Sequence, residues 1–182
     1  MSTYPTPRES DLLELLSAAT DQSLQRKMLD YLDQKDPEKR IGLSAIYNYA
    51  MGKMDDNTAA IKRSLLGNRN LRSIYHKFLK ESGYNLGIAR AASDSGALPR
   101  KEKGCSIRVS ESQAMENMSY VIIELEKHLD DNVSKLSVFD AEENLEEFQL
   151  PKPRDGIIQM GVEKGSKLMS LLADPNTEFI IT

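Results

Sequence analysis

"LSAIYNYAMGKMDDNTAAIKRSLLGNRNLRSIYHKFL", residues 43–79, is the stretch on which the reading of this chain turns. Leu43, Ile46, Tyr47 and Ala50 recur at helical spacing, and Gly52 follows where a left-handed residue closes a helix. Asp55, Asp56 and Asn57 offer caps to a next helix carrying Ile61, Leu65 and Leu66, which Gly67 ends. Asn68 or Asn70 then caps a further one, in which Leu71, Ile74, Tyr75, Phe78 and Leu79 follow the i, i+3, i+4, i+7, i+8 rule. Gly83 closes it. Isolated helices shorter than about 12–15 residues are marginal in water, so these must pack their stripes on one another.

The same texture extends toward the N-terminus. Ser10, Asp11 and Glu14 put a cap and carboxylates at the positive end of a helix dipole, ahead of the apolar Leu12, Leu13, Leu15 and Leu16. Leu24, Met28, Tyr31 and Leu32 mark a second helix over roughly residues 21–34, stopped by Asp36-Pro37. Residues 1–83 are therefore predicted to be a helical partner-binding domain. Residues 84–104, small and charged with little to bury, read as a linker.

From residue 105 to 182 β-branched runs alternate with turn signals. CSIRVS, YVIIELE, KLSVFDA, LEEFQLP, GIIQMGVE, KLMSLLAD and EFIIT are separated by Asp130-Asp131-Asn132, Glu142-Glu143-Asn144, Pro151 to Gly156, Lys164-Gly165 and Asp174-Pro175-Asn176. All seven read as strands of a small antiparallel sandwich or barrel. A helix over 111–129 competes, because Ser110 with Gln113 resembles a capping box and Met115, Met118, Ile122, Leu125 and Leu129 are helically spaced. The fold class expected is α+β: an N-terminal all-α helical bundle followed by a small, mainly antiparallel, sandwich-like β domain.

Composition bounds the function. The chain has 182 residues, 40% apolar and 29% charged, with a net charge of −4. That balance suits a globular protein and argues against the basic footprint of a phosphate-backbone binder, so no direct nucleic-acid binding is expected. The clusters Lys62-Arg63, Arg69 with Arg72, and Arg100-Lys101-Lys103 are small enough to be solvated faces. No window approaches the roughly 18 apolar residues of a membrane helix, and MSTYPTPRES lacks a signal-peptide pattern. With one cysteine and no disulfide framework, the expectation is a soluble cytoplasmic protein.

Reactive groups are sparse. His76 and His128 are the only imidazoles and Cys105 the only thiol, with Cys105 and His76 in different predicted domains. Gly83, Gly87 and Gly96 are too far apart for a phosphate loop, and DAEENLEE at 140–147 lacks the alternation and central Gly of a calcium loop. A non-enzyme without cofactor or metal is expected; a hydrolase using Cys105 is the weakest alternative.

Tyr49, Gly52, Met54 and Asp55, then Ile61 and Leu65, then Asn68, Asn70, Leu71 and Arg72 form a pattern that resembles the N-terminal domain of bacterial anti-sigma factors. Many members of that family hold zinc at the turn before the last helix through His, three residues, Cys, two residues, Cys. The corresponding register here is Ser64, Asn68 and Leu71, no zinc set, so the resemblance implies a zinc-free version whose turn is held by Asn capping and packing. It also implies a transcription regulator that clasps a sigma factor and masks its polymerase- and promoter-binding surfaces. Many relatives continue into a membrane span; none is expected here, leaving the β module to sense a signal, dimerise or add contacts.

Clasping needs an apolar helical face rimmed by charge. The candidate partner-binding residues are Leu12, Leu13, Leu16, Ile46, Tyr47, Met51, Met54, Leu71, Tyr75 and Phe78, with methionines suited to adapting to a partner and ordinary core as the competing role. Glu9, Asp11, Glu14, Asp30, Asp33, Asp55 and Asp56 would steer a partner that itself carries a basic DNA-binding surface, with solvated helix caps and faces as the competing role. The alternative from another class is a structural adaptor that self-assembles as a homo-oligomer, or docks to a larger complex, through its β-rich domain.

Overall fold

The computed structural model describes residues 7–17, 22–32, 41–53, 56–87, 99–102, 104–126 and 133–182. The chain divides into two compact units, Met1–Ser82 and Gly83–Thr182. The described part of the first carries α1 (Glu9–Ser17), α2 (Gln22–Leu32), α3 (Leu43–Ala50), α4 (Thr58–Gly67) and α5 (Arg69–Ser82).

Helix α5 is the axis of the first unit and packs against α2, α3 and α4. Its stripe drives this: Leu71, Ile74, Tyr75, Phe78 and Leu79 are all buried, at about 1.5–3 kcal/mol for each large apolar side chain removed from water. Tyr75 stacks on Tyr49 with ring centroids 5.5 Å apart, and Phe78 and Tyr47 meet in a T-shaped contact at 5.4 Å. Tyr31 carries its ring into the core while its hydroxyl donates to the Ile41 carbonyl at 2.7 Å. Gly52, just past α3, takes φ +73°, the left-handed conformation a side chain would resist.

The second unit contains β1 (Tyr84–Gly87), β2 (Arg100–Glu102), β3 (Cys105–Glu111), β4 (Met118–Leu125), β5 (Lys135–Phe139), β6 (Leu145–Gln149), β7 (Ile157–Glu163), α6 (Lys167–Ala173) and β8 (Glu178–Ile181). They form two four-stranded antiparallel sheets, ordered β1-β8-β5-β6 and β2-β3-β4-β7. Both sheets and α6 share one core, with Leu86, Ile107, Val121, Ile123, Leu136, Val138, Ile158, Leu172, Phe179 and Ile181 inside it. Alternation along β4 puts Val121, Ile123 and Leu125 inward and Tyr120, Ile122 and Glu124 outward, the two-residue period of a sheet with one face on the core.

The expected fold class is corrected here. Content is α+β only in the broad sense, with six helices and eight strands among the described residues, and helices are interspersed with strands instead of being confined to an N-terminal all-α bundle. KLMSLLAD, expected as a strand, is α6: Ser166 caps it by accepting from the Met169 N–H, and Leu168, Leu171 and Leu172 share its buried face. The helix expected as an alternative over 111–129 is absent from its described part, where β4 runs. Tyr84–Gly87 and Arg100–Glu102, read as linker, are strands because each finds a neighbour to complete its backbone hydrogen bonding: β1 on β8 and β2 on β3.

Burial of two charged groups explains more of this unit than its composition suggested. Arg100, 2% exposed, donates to the carbonyls of Thr177 and Asp174 and to Thr177 Oγ1, with its guanidinium carbon 4.5 Å above the Phe179 ring. It is an anchor between β2 and the turn before β8, not part of a solvated basic face. Lys135 on β5 meets Glu147 on β6 at 3.2 Å, both largely buried.

Candidate functional site

The turn between α4 and α5 is built from hydrogen bonds. The Asn68 N–H donates to the Ser64 carbonyl at 2.9 Å, and Asn68 Oδ1 accepts from the Leu71 N–H at 3.0 Å. Thus Ser64, Asn68 and Leu71 are joined in series by one backbone and one side-chain bond. One turn on, Arg72 reaches back, its Nη1 donating to the carbonyls of Leu65 and Leu66 at 3.0 Å each. Those carbonyls belong to the last turn of α4, where a helix leaves acceptors unpaired and its dipole favours a cation. Asn68 and Arg72 together fix the corner.

Around that corner the candidate partner-binding residues divide by burial. Leu12, Leu16, Ile46, Leu71, Tyr75 and Phe78 are buried at 1% exposure or less and fill the unit's own core. Leu13, Tyr47 and Met51 are half-buried and present part of their surface. Met54 lies outside the described residues, as do Asp33 and Asp55. Two further apolar side chains stand out in solvent: Leu29 on α2 at 57% and Leu66 on α4 at 69%. Leu66 shares the apolar run of α4 with Ile61 and Leu65, and sequence alone gives it no reason to face away; Leu29 has helical neighbours of both kinds.

Among the proposed steering carboxylates, Glu9, Asp11, Glu14, Asp30 and Asp56 are all exposed. The Arg8 guanidinium donates to the Asp11 carboxylate, and this bond, with one from the Arg8 backbone N–H at 3.2 Å, holds the carboxyl below the usual range against an opposing cost of burial. It caps α1 while staying ionised.

The reactive groups considered from sequence are placed as follows. Cys105 is buried at the start of β3, and burial pushes its thiol up to about 12, so the nucleophilic thiolate is suppressed at neutral pH. His76 is half-buried on α5 and His128 lies outside the described residues. The acidic stretch 140–147 is a hairpin turn: Asp140 Oδ1 accepts from the N–H groups of Glu142 and Asn144, and Glu143 takes φ +63°. Burial raises the Asp140 carboxyl, but hydrogen bonds from Asn144 and Glu142 outweigh it and leave the group below the usual carboxylate range. Among the described residues no three His, Cys, Asp or Glu side chains gather as a metal ligand set. No described helix is long and apolar enough to cross a membrane.

Compared with models of protein families, with curated proteins and with solved structures, the chain matches none.

Proposed function

We propose that the chain is an anti-sigma-like transcription regulator, binding and occluding a sigma factor through the helical unit. The observation that carries the reading is the α4–α5 corner: the three positions of the family's zinc register are linked by an Asn cap and a backbone bond, and Arg72 closes the end of α4. Hydrogen bonds there would do the job a metal does in zinc-bearing anti-sigma domains, which is to hold the turn before the last helix. Leu13, Tyr47 and Met51, with the exposed Leu29 and Leu66, supply apolar surface, and the carboxylates of α1 and α2 supply charge opposite to a DNA-binding partner. Leu12, Leu16, Ile46, Leu71, Tyr75 and Phe78, all buried, would hold that surface in shape.

The test is co-expression of the full chain with each sigma factor of its source organism, read by size-exclusion chromatography with light scattering. A one-to-one complex with one of them, weakened at least about tenfold by Leu13→Asp or Met51→Asp with the helical circular dichroism retained, supports the reading. Failure of every sigma factor to co-purify overturns it.

A further inference from the structure

We propose that the outer face of the β2-β3-β4-β7 sheet carries a binding site for a small anionic ligand with a planar, apolar body. The site is a cavity of about 490 Å³, open to solvent and lined by Tyr120, Pro151, Lys152, Arg154, Ile157, Gln159 and Gly161. That volume lies in the range small-molecule sites occupy. It lies wholly within the second unit and does not depend on the function proposed above.

The floor is made by register. Tyr120 of β4 stands directly across from Gly161 of β7, and Ile122 from Gln159. A side chain at Gly161 would cover the ground beside the Tyr120 ring, since even a Cβ there would lie 3.9 Å from it and 3.2 Å from Met118 Cε. With glycine at that position one face of the sheet keeps a recess walled by an aromatic ring. Ile157, 46% exposed, gives the recess a second apolar wall.

The rim is rigid. Arg154 and Ile157 exchange two backbone hydrogen bonds, 2.8 and 2.9 Å, across Asp155 and Gly156, which both have positive φ (51° and 76°). This is the two-residue Asp-Gly hairpin turn whose twist suits adjoining strands. The Gly156 carbonyl accepts from the Leu125 N–H at 2.7 Å, and a Cβ on Gly156 would come within 2.8 Å of the Leu125 carbonyl oxygen. The turn is therefore pinned to β4, and the segment Pro151–Arg154 is held over the sheet face.

Charge sets the ligand class. Lys152 and Arg154 are exposed and, among the described residues, have no carboxylate partner, whereas Arg108 pairs with Glu124 at 3.1 Å and Lys164 with Glu111 at 3.3 Å on the same unit. The lining of the recess holds the cations Lys152 and Arg154 and no carboxylate; the exposed Asp155 stands beside Arg154 in the turn, and Glu124, across from Ile157, is engaged by Arg108. The Tyr120 hydroxyl and the Gln159 amide add polar groups with no partner among the described residues. A planar body would lie between Tyr120 and Ile157 over Gly161 and Gln159, with its carboxylate, sulfonate or phosphate toward Lys152 and Arg154.

The test uses the full chain and 1-anilinonaphthalene-8-sulfonate, a planar apolar probe with one anionic group, followed by fluorescence. Saturable one-to-one binding is expected, weakened roughly tenfold or more by the double substitution Lys152→Glu/Arg154→Glu and by Gly161→Leu, which fills the recess. Lys152 and Arg154 are exposed, and the nearest atom to a Cβ at Gly161 is the end of a flexible methionine, so circular dichroism and melting should match the parent protein. N-phenyl-1-naphthylamine, the same rings without the sulfonate, should bind more weakly and be insensitive to the double substitution. Displacement of the probe by adenosine monophosphate or inorganic phosphate supports the assignment. Binding that is non-saturable, unchanged in both variants, equal for the neutral analogue, or displaced only by a polyglutamate peptide overturns it.

Discussion

Phe78 illustrates what single side chains do in the first unit. It is fully buried on α5 in a T-shaped contact with Tyr47, so a carboxylate there would have no partner and no water. Phe78→Asp, or Tyr75→Asp beside it, should remove at least about 3 kcal/mol, a large part of the 5–15 kcal/mol a domain has. Loss of helical circular dichroism at 25 °C, or a sharply lowered melting temperature, checks this. Cys105 offers a converse experiment. Because its folded thiol titrates far above the unfolded one, its contribution to stability is complete below the unfolded value and is lost as pH rises toward 12. Native protein at pH 8 should react slowly with a disulfide reagent, and protein in urea should react at once.

Residue-level reading from sequence was good where a position obeys local geometry, as at Gly52 and Asn68, and poor where the partner is remote in sequence. Arg100 is an example: its acceptors lie on Asp174 and Thr177, and no local pattern announces them. Arg100→Ala should cost about 2–3 kcal/mol, since it leaves the Thr177 carbonyl unpaired and empties the space over Phe179. Urea denaturation of the variant measures it.

At the scale of elements, α6 shows how a turn can be identified correctly and the segment after it misread. The apolar run Leu168, Met169, Leu171, Leu172 satisfies both a short buried strand and one and a half turns of helix. What separates them is Ser166, whose hydroxyl accepts from the Met169 N–H, together with the i, i+3, i+4 spacing of the three buried leucines. The strands β1 and β2 were illegible for another reason: short segments of mixed polarity become strands only when β8 and β3 offer them an edge. The candidate surface was half legible. Its helices follow from their stripes, but which residue of a stripe faces out, as Leu66 does, depends on where the neighbouring helices stop. Two predictions belong here. Asn68→Ala should cost about 1 kcal/mol of stability by removing the cap of α5. The β5–β6 turn should loosen in acid: the Asp140 carboxyl is depressed in the fold, so its contribution is present above the unfolded value and lost as pH falls through the folded one. Amide exchange at Glu142 and Asn144 against pH reads this directly.

For the whole molecule, each unit has its own buried interior, and the division of labour proposed here follows: a helical unit that grips and a second unit with a recess for a small anion. The order of strands adds a consequence for biosynthesis. Strand β8, Glu178–Ile181, is an inner strand lying between β1 and β5, although it is the last of the eight to be translated. While a ribosome is still adding residues up to 177, β1 and β5 border a vacant slot, and β1 has no neighbour in that sheet. On the ribosome the seam between β1 and β5 therefore stays open until β8 has cleared the exit tunnel.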